Sequence, residues 1–277
     1  MRFDHAAILT DLDGTLFNSQ GNVSGEDRAA IRAFIAGGGL FAVATGREPH
    51  NGRRHLPDVP LNGPSIVLNG AAVYDFVHRR YLSTIPMDKE AARDVLLHCQ
   101  AENWPLDLQV YTTDGIYYAS PIETADPNFL RIHQPTRQLP MEELEAKTWI
   151  KTVLLERAAE ALVPMRAYLK EKGYDKRLAL VEGTTDVVKI GKYQELLPKD
   201  VNKGTGVDAL RRLPVYRGRT LFAVGDYWND VELLQAADVA CAPGNAIPEV
   251  KALCAHILPS HNDSAIAHLV RQVIPAL

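Results

Sequence analysis

The chain has 277 residues, room for about two domains of average size. Apolar residues make up 46% and charged residues 23%, which excludes a disordered chain, a collagen and a coiled coil. Lys and Arg (30) against Asp and Glu (34) leave a net charge of −4, so the basic surplus of a nucleic-acid binder is missing.

The elements follow in order. Ala6 to Leu9 is a short apolar run stopped by a turn, the pattern of a strand buried on both faces. Ser24 with Asp27 three residues later opens a helix, with Ala30, Ile31, Phe34 and Ile35 on one face and Gly37-Gly38-Gly39 ending it. Leu40 to Ala44 and Ser65 to Leu68 read as further buried strands. The first 75 residues therefore predict a parallel sheet with right-handed crossovers and no antiparallel pairing. The middle mixes signals: a helix from Asp88 to Cys99, a hairpin turning at Asp114-Gly115 between Tyr111 and Tyr117, and a polar helix from Glu142 to Lys147. Pro164 falls inside a helical stretch, Ala158 to Lys172. Leu178 to Glu182 and Asp186 to Ile190 flank Gly183-Thr184-Thr185 as a second hairpin. Alternation returns with a helix (Val207 to Leu213), a strand (Leu221 to Val224), a helix (Val231 to Ala237) and a strand (Asp238 to Cys241). Helices follow near Pro248 to Ala255 and Ser264 to Ile274. The simplest architecture is an α/β parallel-sheet core from residues 1–83 and 199–277, with an α+β domain inserted at 84–198.

Cys99, Cys241 and Cys254 are odd in number with no CxxC pair, and read as buried single thiols in a reducing compartment. No run of about 18 apolar residues occurs, and acids interrupt the N-terminal MRFDHAAILTDLDG where a signal peptide needs an apolar stretch. The expectation is a cytoplasmic chain without membrane or nucleic-acid partners.

Four stations stand at strand ends or helix starts. Asp11-Leu12-Asp13-Gly14-Thr15 follows the first strand. Carboxylates at i and i+2 lie about 7 Å apart on extended chain, so one can stay ionised while its neighbour holds a proton. A calcium loop fails here, because Leu16 and Asn22 stand where Gly and Glu are needed. Thr45-Gly46-Arg47 offers a hydroxyl, an amide and a guanidinium to a phosphate. Lys203-Gly204-Thr205 offers an ammonium and helix-start amides. Gly225-Asp226-Tyr227-Trp228-Asn229-Asp230 adds two carboxylates and an amide, an oxygen set suited to Mg²⁺.

DLDGTLFNS, ATGR, the Lys of LPKDVNKGTG and GDYWND resemble, in order and spacing, the four motifs of the haloacid dehalogenase (HAD) superfamily, and most closely its Cof-type sugar-phosphate phosphatases with a large α+β cap (type IIB). The resemblance runs from Ile8 to about Pro248. It implies a Rossmann-like core in which Asp11 attacks phosphorus to give an aspartyl-phosphate. Asp13 would protonate the leaving oxygen and then activate water. Thr45, Gly46, Lys203 and Asn229 would hold the phosphoryl oxygens. Mg²⁺ would sit on Asp11, the Asp13 carbonyl and Asp226, supported by Asp230. Arg47 and Asn69 resemble substrate-facing positions. Asp13 separates phosphatases from the metal-free dehalogenases, which lack that acid.

The reading is a Mg²⁺-dependent phosphatase of a small phosphorylated metabolite, with a phosphomannomutase-like mutase and a non-catalytic sugar-phosphate sensor as alternatives. Neither the substrate nor an oligomeric state can be read from the sequence. Ser264-Ala265-Ile266 and Pro243-Gly244-Asn245-Ala246 depart from the family pattern and are expected to lie outside the chemistry. Tyr227 and Trp228 are bulky for their motif; packing is expected over cleft lining. His50, His55, His133, His256, His261 and His268 read as surface or core residues. Arg53 and Arg54 read as a solvated helix face near Arg47, and Glu123, Asp126 and Arg131 as cap residues within reach of substrate.

Overall fold

The computed structural model describes residues 2–127, 130, 136–184 and 191–277. The chain folds into two compact units, Met1–Ser83 with Asn202–Leu277, and Thr84–Val201. Three earlier readings, the strand arm Asp186 to Ile190, Arg131 and His133, lie outside the described residues.

The first stretch contains β1 (Ala6–Thr10), α1 (Gly25–Ala36), β2 (Leu40–Val43), α2 (Pro49–Arg54), β3 (Ser65–Val67), β4 (Ala72–Asp75) and β5 (Arg80–Thr84). The inserted unit carries α3 (Lys89–Ala101), β6 (Leu106–Tyr111), β7 (Ile116–Tyr118), β8 (Thr136–Gln138), α4 (Met141–Glu145), β9 (Lys151–Glu156), α5 (Leu162–Glu171), β10 (Leu178–Thr184) and β11 (Lys192–Pro198). The last stretch adds α6 (Lys203–Arg211), β12 (Thr220–Val224), α7 (Val231–Ala236), β13 (Val239–Pro243), α8 (Pro248–Lys251), β14 (His256–Leu258) and α9 (Ala265–His268).

In the first unit β14-β13-β12-β1-β2 form a parallel sheet, with β1 central between β12 and β2. Successive side chains of β1 enter opposite cores, as the two-residue period of a strand requires. Ala6 and Ile8 pack with Leu16, Phe34, Phe41 and Phe222, whereas Ala7 and Leu9 pack with Ala42, Ile66, Val207 and Leu233. Burial on both faces makes the run apolar throughout and holds its carboxyl end, where Asp11 begins, in one place. The Ser24 hydroxyl caps α1 by accepting from the Asp27 amide at 2.9 Å. A single parallel bridge, Ala44 to Ile66, links β2 to β3.

Antiparallel pairing does occur in the first unit, against expectation. β3, β4 and β5 form their own three-stranded sheet, with β3 antiparallel to β4. Its turn carries three successive residues at positive φ, Leu68, Asn69 and Gly70, so an Asn-Gly pair, the usual mark of a tight hairpin, stands at the reversal, and Leu68 is the residue there whose side chain disfavours that conformation.

The inserted unit carries a six-stranded sheet, β10-β11-β9-β6-β7-β8, in which, among the described residues, β7 and β8 alone pair in parallel. Leu106, Leu108 and Val110 on one face of β6 bury against α3 residues Val95 and Leu96 and α5 residues Leu162 and Met165. The Asp114-Gly115 hairpin forms with Tyr111 opposite Ile116. The second hairpin is displaced. Gly183 and Thr184 are paired strand residues, opposite Tyr193 and Lys192, so the returning arm is Lys192–Pro198. The awkward Pro164 is settled by a late helix start: α5 begins at Leu162, and proline in a first turn deprives no carbonyl of its donor. The Leu162 amide is taken instead by Glu156 Oε1 at 3.0 Å.

Cys99 and Cys241 are buried free thiols, and Cys254 is free but half-buried. Among the described residues no helix is long and apolar enough to cross a membrane.

Candidate active site

The site begins where β1 stops. The Asp11 amide donates to the Val224 carbonyl at 2.9 Å, tying its backbone to the end of β12. The chain then loops out through Asp13 and back, closed by the Phe17 amide on the Leu12 carbonyl at 2.8 Å and seated by buried Leu12 and Leu16. Gly14 makes the loop possible. Its φ is +75°, and a Cβ there would overlap the Asp226 carboxylate.

Lys203 is fully buried, yet its ammonium donates to Asp11 Oδ1 at 2.7 Å and to Asp230 Oδ1 at 2.5 Å. It is the first residue of α6, behind a cap that its own motif conceals. Asn202 Oδ1 accepts from the Thr205 amide at 3.0 Å, and Thr205 Oγ1 accepts from the Asn202 amide at 3.3 Å. Asp230 is also fully buried. Its second oxygen accepts from the amides of Asp226 at 2.9 Å and Tyr227 at 3.4 Å, so both oxygens are engaged in holding the turn and the lysine. Asp226 takes the Thr15 hydroxyl at 2.7 Å.

Asp11, Asp226 and Asp230 thus bring carboxylate oxygens within 4.8 Å of one another, with one ammonium among them. The imbalance has a visible electrostatic cost. Burial pushes the Asp11 carboxyl well above the usual range, against the pull of Lys203, and Asp230 and Asp13 push the same way. Burial likewise raises Asp226 to about 6, opposed by the Thr15 hydroxyl. Burial disfavours the Lys203 ammonium, but Asp11 and Asp230 outweigh it and hold the proton more tightly than usual. An all-oxygen donor set with surplus negative charge fits a hard divalent cation such as Mg²⁺.

The Asp13 carboxylate does not join this cluster. It is 61% exposed and forms a two-pronged pair with Arg47, at 2.9 Å from Nε and 2.7 Å from Nη2. Arg47 is held in turn by Asn51 Oδ1 at 2.7 Å and lies 5.8 Å from the Phe17 ring. In the same region His55 Nδ1 sits 2.9 Å from the Asn51 carbonyl, and Arg53 donates to the Val59 carbonyl at 2.8 Å rather than to solvent alone.

Thr45 is buried at the end of β2. Its Oγ1 accepts from the Arg47 amide at 3.2 Å, and its carbonyl from the Asn69 amide at 3.1 Å. Gly46 lies flat on the Asn69 side-chain amide, 2.9 Å from where a Cβ would stand. Gly70, at φ +98°, presses on the Asn202 carbonyl where a Cβ would overlap it. The second and third stations are therefore joined through backbone. Asn229 is exposed in the turn Trp228–Asp230.

Two expectations are corrected here. Tyr227 and Trp228 do not pack: they are 55% and 53% exposed, because their turn is anchored by Asp230 and not by its aromatic rings. Asn245 does not lie apart from the first loop, since its side-chain amide bonds the Gly14 carbonyl. The first station included Thr15 without giving it a role, and Asn51, Gly70 and Asn202 were not singled out. Two of these carry a readable signal: Gly70 follows Asn69 in an Asn-Gly turn pair, and Asn202 stands three residues before a Thr at a helix start.

The family model of haloacid dehalogenase-like hydrolases matches residues 8–270. The chain belongs to that family. It is a phosphatase, an enzyme of the hydrolase class. A 5-amino-6-(5-phospho-D-ribitylamino)uracil phosphatase of Bacillus subtilis is 24% identical, covering 96% of this chain and 97% of its own. A second Bacillus subtilis phosphatase, YwpJ, is 26% identical over 96% of this chain and 99% of its own length. Among solved structures, a haloacid dehalogenase-like hydrolase from Bacteroides thetaiotaomicron superposes with a TM-score of 0.77 at 21% identity, covering 98% of this chain and 100% of its own.

Proposed function

We propose that this phosphatase hydrolyses a small phosphorylated metabolite, a sugar phosphate or a relative of one, through an aspartyl-phosphate on Asp11. The observation that carries the reading is the buried Lys203 ammonium held between Asp11 and Asp230 at the carboxyl end of the parallel sheet. A cation so placed neutralises charge on an arriving phosphoryl group.

An oxygen of Asp11 attacks phosphorus, and the leaving oxygen departs with a proton from Asp13. Asp13 then takes a proton from water, whose oxygen attacks the same phosphorus, releasing phosphate and restoring Asp11. The Thr45 hydroxyl, the Gly46 amide, Lys203 and Asn229 bind the phosphoryl oxygens, and Arg47 and Asn69 face the remainder of the substrate. Asp11, the Asp13 carbonyl and Asp226, with Asp230 behind them, would hold Mg²⁺, which would supply further positive charge to the transferring group. The core segments carry the chemistry. Residues 84–198 choose the leaving group, since none of the four stations lies within them.

Relatives named for a phosphoribitylamino-uracil and for HMP-PP support a small phosphorylated metabolite as substrate. A phosphate-release screen across sugar phosphates, nucleotides and pyridoxal phosphate, with Mg²⁺ present, tests the reading. Asp11→Asn is nearly isosteric and should fold, while kcat falls about 10⁴-fold, or about 5.5 kcal/mol of barrier. Near wild-type turnover by that variant would refute the covalent route. Phosphorus NMR of the products separates hydrolysis from a mutase: free phosphate supports the proposal, and isomerised phosphate ester overturns it.

A further inference from the structure

The loop that carries Asp13 is gripped from a direction that the four motifs do not include. Asn245, in the turn after β13, donates from Nδ2 to the Gly14 carbonyl at 2.7 Å. Its Oδ1 accepts from the His261 amide at 2.9 Å. The backbone donor on one side and the backbone acceptor on the other fix which end of the side-chain amide faces which partner. A carboxylate, which only accepts, cannot satisfy both. Below Asn245, the segment after β14 is fastened to the far end of the same loop. The Ser19 amide donates to Asn262 Oδ1 at 2.9 Å, Asn262 Nδ2 donates to Ser19 Oγ at 2.9 Å, and His261 Nε2 lies 3.1 Å from that hydroxyl.

The grip falls on one peptide unit. The Gly14–Thr15 peptide is held at its carbonyl by Asn245, and the Thr15 side chain is held by Asp226 at 2.7 Å. Gly14 itself sits at φ +75° with Asp226 against its Cα. A residue in that left-handed state has a shallow torsional well, so the orientation of its peptide depends on what the carbonyl bonds to. Asp13 is the residue next before it, and its carboxylate projects into solvent, 61% exposed, with Arg47 alone bonded to it by its side chain in the first unit's described hydrogen bonds. Backbone placement, together with the Arg47 pair, therefore sets where that carboxyl points.

We infer that Asn245 is a positioning residue for the acid Asp13, acting by holding the Gly14–Thr15 peptide. The inference rests on the proposed role of Asp13 in protonating the leaving oxygen. That role has a kinetic signature. A phenolate such as p-nitrophenolate leaves without needing a proton, whereas a sugar alkoxide requires one. A misplaced acid thus damages alkyl phosphates selectively, and general loosening of the fold damages both alike.

The test measures kcat/KM on p-nitrophenyl phosphate and on an alkyl phosphate, glucose 6-phosphate or whichever sugar phosphate the screen returns as cleaved, in the full-length protein. Three variants are compared: Asn245→Asp, Asn245→Ala and Asp13→Asn. Asn245→Asp keeps the bond to the His261 amide but turns a carboxylate oxygen toward the Gly14 carbonyl, so it repels where the native amide attracts. The expected result is a fall of about 10- to 100-fold on the alkyl phosphate for both Asn245 variants, with p-nitrophenyl phosphate within about threefold of wild type. Asp13→Asn should lower kcat/KM on the alkyl phosphate further than on p-nitrophenyl phosphate; its loss as the base that activates water slows the second step for both substrates alike and shows in kcat, not in the ratio of the two kcat/KM values. If Asp13→Asn is selective and the Asn245 variants lower both substrates in parallel, or neither, the positioning role is overturned while the acid role stands. If Asp13→Asn shows no selectivity, the acid role itself falls, and the inference falls with it. A thermal melt of each variant accompanies the kinetics. Recovery of alkyl-phosphate turnover in Asn245→Gln relative to Asn245→Ala, the glutamine amide having the same donor and acceptor ends, would support the inference against mere loss of packing.

Discussion

Replacing Lys203 with Met should unfold the core far more readily than a surface lysine would. The ammonium is fully buried, 2.7 Å from Asp11 and 2.5 Å from Asp230, and those carboxylates are 9% and 0% exposed. At an effective dielectric constant near 20, each contact supplies roughly 6 kcal/mol of attraction, most of which offsets the desolvation of three charges. Methionine fills the volume of the stem but leaves two buried carboxylates facing each other without a cation. Breaking a buried pair in this way costs about 3–5 kcal/mol, which for a chain of this size lowers the melting midpoint by about 6–20 °C. The double variant Lys203→Met with Asp230→Asn removes the worse of the stranded charges, because Asp11 lies nearer solvent. It should regain at least about 2 kcal/mol, provided that the neutral amide still accepts the Asp226 amide proton. Urea and thermal melts at pH 7.5 measure all three proteins. A single variant within about 1 kcal/mol of wild type would refute the account, and so would a double variant less stable than the single.

Three further outcomes follow from the same structure. Chelation with EDTA should abolish phosphate release, and Ca²⁺ should restore it poorly, since Mg²⁺ demands a tighter, near-octahedral oxygen shell; full activity in EDTA would exclude the metal from the mechanism. Burial pushes Asp107, in β6, from 3.8 to about 6, against the pull of Arg157 and of the Asp126 backbone amide. A carboxyl raised on folding binds its proton more tightly in the native state, so its cost is absent below about pH 4 and grows as pH climbs to about 6, reaching at most about 3 kcal/mol. Asp107→Asn should therefore stabilise the protein at pH 7.5 and leave it unchanged near pH 4, read by urea midpoints at the two values. Gly70→Ala should cost several kcal/mol or prevent folding, because the new Cβ meets the Asn202 carbonyl at a φ of +98°; a soluble variant with wild-type stability would show that this backbone contact yields easily.

The sequence by itself determined the parallel core and the contents of its four stations. Buried strands must be apolar on both faces, and Ala6–Leu9, Leu40–Val43 and Leu221–Val224 are, so the strands that aim Asp11, Thr45 and Asp226 could be read from one-dimensional pattern. The caps were legible for the same reason, since Ser24 and its partner Asp27 are three residues apart. What escaped the sequence has mixed causes. The β3–β4 reversal turns through Leu68, Asn69 and Gly70 at positive φ; Asn69-Gly70 is a local turn signal that the alternation of strand and helix overshadowed, whereas the positive φ of Leu68 is disfavoured by its side chain and imposed by packing. The β10–β11 pairing is set by partners across the sheet, so Gly183, a turn signal in isolation, became a paired strand residue. Only the tertiary structure could decide that both oxygens of Asp230 are spent on Lys203 and two amides, that Asp13 turns to Arg47, and that Asn245 reaches Gly14. Those pairs are 27, 34 and 231 residues apart in the chain for Lys203–Asp230, Arg47–Asp13 and Asn245–Gly14. A hydrogen bond across such a distance depends on where two separate strand ends meet, and no short-range pattern encodes that meeting.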